Sequence, residues 1–224
     1  ETEKQIDPFF EEMSHPFLQK SRSDKKAVIL ITSNRGLAGG YNSNAVKLLT
    51  KDERFTTENT VVYAVGTKGR DSVEREGYTI AGDYSEAINE PLYADASEIG
   101  KEVLSKFTMG EIGEIYLIYT IFKNTMVQIP TMMKLLPINA SDITADAEDV
   151  EENPIDRITL MNYEPAPEEA LNAIIPKYVN SLIFGGLVES HASENGARMQ
   201  AMDSATSNAE EMISDLSLKY NRAR

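Results

Sequence analysis

The sequence predicts an α/β fold: a three-layer domain with a mostly parallel sheet, followed by one very long helix. Three observations predict it. Continuous aliphatic runs at 27–33, 60–65 and 114–122 have the pattern of strands buried on both faces, as central parallel strands are. These runs alternate with segments of helical periodicity, which right-handed crossovers place on the faces of the sheet. From about Pro165 to Arg224 the chain reads as a single helix of roughly 55–60 residues, about 85 Å long.

Composition narrows the function classes. The 224 residues suffice for one or two domains with a substantial core, and the 41% hydrophobic content is that of a folded protein. A net charge of -14 argues against a nucleic-acid partner. The absence of cysteine excludes disulfides, thiolate zinc sites and thiol catalysis, and only His15 and His191 are available as imidazole ligands. No uninterrupted apolar run reaches the roughly 18 residues of a membrane span. No cofactor is expected.

Residues 1–26 read as the end of an N-terminal helical region and a linker, interrupted by Pro8 and Pro16, with a short helical piece around Phe9–Met13. Residues 27–163 read as the α/β domain. Its first strand, Ala27–Ser33, runs into the glycine-rich turn Ser33–Asn42 and a helix from Ser43 to Lys51. A strand at Thr60–Val65 precedes a helix from Gly66 to Arg75, ended by Gly77. Tyr78–Ala81 is a short strand, 83–93 a loop, and Ala94–Met109 a helix with Ile99, Val103, Leu104 and Phe107 on one face. Glu114–Phe122 turns at Lys123–Thr125 into an antiparallel strand, Met126–Ile138, where Pro130 suits an edge or a bulge. The acidic stretch 142–156 reads as a solvated loop, and Arg157–Tyr163 returns as a short strand.

Residues 164–224 form the long helix, with proline and acids at its start and Pro176 set to kink its first turns. Its apolar or small positions, Leu171, Ile175, Tyr178, Leu182, Val188, Ala192, Asn195, Met199, Met202, Ala205, Ala209, Met212, Leu216 and Tyr220, recur mostly at steps of four and three. That is a coiled-coil seam, broken near Gly185-Gly186 and between Met202 and Ala205. A seam requires something to pack against, and what that partner is becomes the functional question.

No catalytic constellation emerges. The turn Gly36–Gly40 follows a strand and precedes a helix, as phosphate-binding loops do, but is neither GxGxxG nor GxxxxGK[ST]. The second strand ends in Val65-Gly66-Thr67 without a ribose-binding acid. Tight strand–helix packing is the plainer role for these glycines. Neither His191 beside Ser190 nor the adjacent pairs Glu168-Glu169 and Glu210-Glu211 has the geometry of a shared acid/base site. A nucleotide-binding α/β enzyme with a coiled-coil appendage is the alternative reading.

Two strings carry a family resemblance. Ser33-Asn-Arg-Gly-Leu-Ala-Gly-Gly-Tyr-Asn-Ser-Asn44 resembles the first strand–turn–helix of the gamma subunits of F-type ATP synthases. Glu189–Arg224, with Ser193-Glu194, Ala197-Arg-Met-Gln-Ala-Met202, Ala205-Thr206, Asn208-Ala209 and Tyr220-Asn-Arg222, resembles their C-terminal signature. Asn34 stands where many members have Asp, Ala38 where many have Cys, and Gly196 where Ala is common. There is no cysteine-bearing insertion of the chloroplast type, so the bacterial type is favoured.

The resemblance implies a Rossmann-like foot and a shaft: the long helix in an antiparallel coiled coil with an N-terminal helix. It implies a non-catalytic central-stalk rotor that carries c-ring rotation to the alpha and beta subunits, with epsilon at the foot. It further implies a peripheral position on the cytoplasmic face of a bacterial membrane, touching the membrane only through the c-ring. Carried onto this sequence, Arg198 becomes a partner for acidic loops of beta, and Arg222 and Arg224 contacts nearer the top. Met199, Met202, Ala205, Ala209, Met212, Leu216 and Tyr220 continue the seam.

Overall fold

The computed structural model describes residue 17 and residues 23–138 and 167–224, with the side chains of the long helix from residue 171 onward. The helical piece near Phe9, the acidic loop 142–156, the strand at 157–163 and the helix opening at Pro165 lie outside the described residues.

Five strands form one sheet in the order β3-β2-β1-β4-β5. They are β1 (Lys26–Ile31), β2 (Thr60–Val65), β3 (Thr79–Asp83), β4 (Glu114–Asn124) and β5 (Val127–Leu136). The first four are mutually parallel, and β5 pairs antiparallel to β4. Helices α1 (Tyr41–Thr50), α2 (Thr67–Arg75), α3 (Tyr93–Thr108) and α4 (Pro167–Ala223) complete the described chain. The α/β expectation therefore holds, as does the very long terminal helix, which continues through Pro176.

Alternation along the strands sorts the core into two layers. Val28, Leu30, Val62, Ala64, Tyr116 and Ile118 face α1 and α2, joining Val46, Leu49 and Val73. Ala27, Ile29, Ile31, Tyr63, Ile115 and Leu117 face α3 and α4, joining Ile99, Val103, Ile183 and Leu187. Such fully buried aliphatic side chains contribute roughly 1.5–3 kcal/mol each, which is why both faces of β1 are apolar. Pro130 sits on the edge strand β5, opposite Thr120, where its missing N–H leaves no ladder bond unmade.

Two local differences have physical causes. Helix α1 begins at Tyr41 rather than Ser43, because Gly40 already serves as its N-cap. The loop 83–93 contains a 3-10 turn, Ser85–Ile88, that buries Ala87 and Ile88. Asp83 stabilises the turn by accepting from Ser85 N at 3.1 Å.

At the strand ends Gly66 is obligatory. Its φ is +102°, and a Cβ there would overlap the Thr32 carbonyl. Gly69 N then donates to Thr32 Oγ1 at 2.9 Å, which seats α2 on the end of β1.

Candidate functional site

The lengths of β1 and β4 create the site. The last β1–β4 pair is Leu30–Ile118, yet β4 runs on to Asn124 with β5 on its other side. Beyond Ile118, one edge of β4 carries backbone groups with no strand beside them among the described residues. Buried groups of this kind need partners.

Helix α4 supplies them. Thr120 N donates to Ser190 Oγ at 3.1 Å, and Ser193 Oγ donates to Thr120 O at 3.0 Å. Phe122 N donates to the Glu189 carboxylate at 2.6 Å, a charge-assisted bond. From the other side, the Tyr41 hydroxyl donates to the Ser190 carbonyl at 3.1 Å, and burial pushes this phenol well above its ordinary pKa. Ala38 and Tyr41 pack on Ala197. His191 Nδ1 lies 2.9 Å from Ile88 O, tying the helix to the 3-10 turn.

Close approach is permitted by three glycines. A Cβ at Gly186 would stand 3.1 Å from Leu117 and 3.4 Å from Ile31, and one at Gly196 would stand 3.1 Å from the Phe122 ring. A Cβ at Gly100 of α3 would overlap the Asn180 side-chain oxygen. Tight packing is thus the property of these residues. Of the turn glycines expected to provide it, Gly36 and Gly39 face open space, Gly39 serving its φ of +56° instead, while a Cβ at Gly40 would stand 3.0 Å from the Asn44 side-chain amide. The turn is held by side-chain amides. Asn42 Oδ1 accepts from Ser33 N at 2.9 Å. Asn34 accepts from Thr67 N at 3.0 Å and donates to Ser85 O at 2.7 Å.

The crevice at the C-terminal ends of β1 and β4, where strand order reverses, is where doubly wound sheets hold ligands. Here Ser190, Ser193 and Ala197 of α4 occupy it. That is a physical reason against the nucleotide reading, independent of the missing motif.

The seam needs correction in its first half. Ile175, Val179, Ile183 and Leu187 are buried, whereas Tyr178 and Val188 are 49% and 45% exposed. A step of four advances about 40° around a helix, so this stripe turns by about 120° over three steps. It follows a twisted sheet and α3 rather than a single partner helix.

The second half behaves differently. From Met202 to Arg224 every residue is exposed, including Ala205, Ala209, Met212, Leu216, Tyr220, Arg222 and Arg224. Met199 is also exposed, and Ile213 and Leu218 add apolar surface that the seam did not include. Arg198 is not a free cation: it holds Glu194 at 2.6 Å, four residues back. Arg198 also lines a cleft of about 300 Å³ with Arg35, Asn89 and His191. Glu189, Ser190 and Ser193, which partner the free edge of β4, were not singled out for that role. Their signal in the sequence is that the apolar stripe of step four stops at Leu187 and continues as polar residues.

A family model described as ATP synthase matches residues 2–224. The ATP synthase gamma chain of Lachnoclostridium phytofermentans is 62% identical over 212 residues, 95% of this chain and 72% of that protein. The sodium ion specific ATP synthase gamma chain of Acetobacterium woodii is 42% identical over 218 residues, 93% of this chain and 72% of that protein. Among solved structures, a chain of the Tetrahymena thermophila mitochondrial ATP synthase central stalk/c-ring aligns with a TM-score of 0.60 at 24% identity. It covers 90% of this chain and 86% of that one. A chain of the Euglena gracilis mitochondrial ATP synthase rotor aligns with a TM-score of 0.61 at 17% identity, covering 98% and 82%. The architecture is that of these stalk and rotor chains, and by its sequence the protein belongs to the ATP synthase gamma chain family.

Proposed function

We propose that this chain is the central-stalk rotor subunit of an F-type ATP synthase, a non-catalytic part that transmits c-ring rotation to the alpha and beta subunits. One observation carries the reading: α4 is bonded into the α/β unit as far as Ala197 and is then bare along an apolar seam from Met202 to Tyr220. A lever needs a fixed end and an engaging end, and α4 has both. The names of the related proteins support the same assignment.

In this reading the seam Met199, Met202, Ala205, Ala209, Met212, Leu216 and Tyr220 takes an N-terminal helix in an antiparallel coiled coil. The small residues Ala205 and Ala209 allow the two axes to approach closely. Alpha and beta surround the shaft, with Arg198, Arg222 and Arg224 facing their acidic groups. Arg198 would share its charge between Glu194 and a beta carboxylate. The foot, residues 27–163, meets epsilon and the c-ring at the cytoplasmic face of the membrane.

A window of α4 reaches a mean hydropathy of 1.2 and is 28% buried, with part of its apolar stripe against the sheet. The rotor reading assigns membrane contact to the c-ring and not to this helix.

The test is reconstitution. The complete subunit containing this chain is mixed with alpha and beta subunits of a close relative, and ATP hydrolysis by the purified complex is measured. Assembly with hydrolysis is expected, and Arg198→Gln should lower coupling while leaving the fold intact. Failure to assemble overturns the rotor reading. Calorimetric titration of this chain with ATP and NAD is expected to show no heat of binding; stoichiometric binding would favour the enzyme alternative.

A further inference from the structure

The buried stripe Ile175, Val179, Ile183 and Leu187 holds α4 on the sheet and α3 mainly by apolar contact, which is non-directional, with a long side-chain bond from Asn180 Nδ2 to Ser97 Oγ at 3.3 Å beside it. Apolar ridges alone tolerate a helix that rolls or slides by a fraction of a turn. The contacts immediately above are of another kind. Ser190 and Ser193 are fully buried, and together they satisfy both backbone groups of Thr120. Glu189 satisfies the N–H of Phe122. Tyr41 fixes the Ser190 carbonyl from α1. Rolling α4 by one residue, about 100°, would carry both hydroxyls away from β4 and orphan three backbone groups.

We propose that Glu189, Ser190 and Ser193 are positioning residues that key the shaft to the foot in one angular register, so that foot and shaft turn as one body. The proposal rests on the rotor reading and adds to it the place where torque crosses from sheet to helix. The load passes through the unpaired edge of β4, beyond the end of β1. The hairpin β4–β5 acts as the key, with Gly196 giving room for Phe122 at its tip. Directional bonds to a strand backbone suit this task, because the β5 ladder on the other side of β4 holds their acceptors and donors in place.

The experiment uses the complete subunit in the assembled complex, with a probe fixed to the foot and the alpha–beta ring held to a surface. The angular spread of the probe is read during ATP-driven dwells for wild type, S190A/S193A, E189A and E189Q. Amide exchange at Thr120 and Phe122 is read in the same proteins.

Loss of one partner should speed exchange at the matching amide by about five- to tenfold, the factor for one ordinary hydrogen bond. With it, the dwell distribution of S190A/S193A and E189A should widen. E189Q, whose amide oxygen still accepts from Phe122, should keep the narrow wild-type distribution. A merely structural role would lower melting temperature without widening the dwells. If S190A/S193A fails to assemble, E189A against E189Q makes the same comparison at a half-exposed position. Faster amide exchange with unchanged dwell width overturns the proposal alone. A wild-type subunit that neither assembles nor rotates overturns the rotor reading and the proposal with it.

Discussion

Truncating one isoleucine and one leucine on the same helix should have opposite consequences. Ile183 is fully buried, and its Cδ1 lies over α3 at Gly100, 3.6 Å from where a Cβ would stand. Ile183→Ala removes three carbons, worth about 2.4 kcal/mol at roughly 0.8 per methylene, before any cavity cost. Helix α3 runs 16 residues and is itself buried along this face, so the void has little room to collapse. The expected loss is therefore about 3 kcal/mol, inside the usual range for such truncations. Leu216 is 64% exposed, and Leu216→Ala should change the stability of this chain by less than about 0.5 kcal/mol. Urea unfolding followed by circular dichroism, at the lowest readable concentration, gives both values. Ile183→Ala should lower the midpoint by about 1–1.5 M at a slope of 2–3 kcal/mol/M. Leu216→Ala should leave the midpoint in place and instead weaken assembly with the alpha and beta subunits. A loss above about 1 kcal/mol for Leu216→Ala, or below that for Ile183→Ala, would refute the division of α4 into a packed and a bare half.

Other expectations follow from the same contacts. Asn34→Asp keeps the acceptor for Thr67 N but turns a carboxylate toward Ser85 O, now 2.7 Å from the amide nitrogen. It should cost about 1–3 kcal/mol at neutral pH, and the melting temperature should partly recover as pH falls and the carboxyl gains a proton to donate. Tyr41→Phe should cost about 1 kcal/mol through the lost bond to Ser190. Burial raises the folded pKa of Tyr41 above its unfolded value near 10, so its contribution is complete below about pH 10 and declines as pH rises through the folded value. Tyr41→Phe should therefore flatten the alkaline limb of the stability profile. It should not abolish that limb, because burial and the neighbouring Glu114 also raise Tyr116, to about 12. Finally, with the apolar seam Met202–Tyr220 exposed, this chain should self-associate with rising concentration by light scattering; a dilute, stable monomer would count against the seam.

The strands were legible because β1, β2 and β4 are apolar on both faces, and Pro130 correctly marked the edge of the sheet. The turn Ser85–Ile88 was not, since its order comes from Asp83 and from burial of small residues rather than from periodicity. Along α4 the sequence offers apolar residues on either side of the true stripe: Tyr178 beside Val179, and Val188 beside Leu187. Choosing between them depends on what the helix lies against, and a sheet selects a different stripe from a second helix. In the bare half of α4 the same ambiguity stands: Ile213 lies beside Met212 and Leu218 near Leu216, and all four side chains are exposed. Glu189, Ser190 and Ser193 were hidden for another reason. They answer backbone groups that are free only because β1 stops before β4 does, and strand lengths are known only once the sheet is assembled.

That mismatch in strand length also makes α4 a tethered ligand. In related sheets the reversal point receives a diffusible molecule, which pays translational and rotational entropy on binding and leaves at a rate set by its affinity. Here the occupant is covalently part of the receptor, and its local concentration never falls when the bonds to Thr120 and Phe122 open. The contacts at 189–197 therefore need little intrinsic affinity to stay occupied. Each momentary opening is followed by reclosure on the same site, and a joint made of ordinary hydrogen bonds can be loaded repeatedly without being lost.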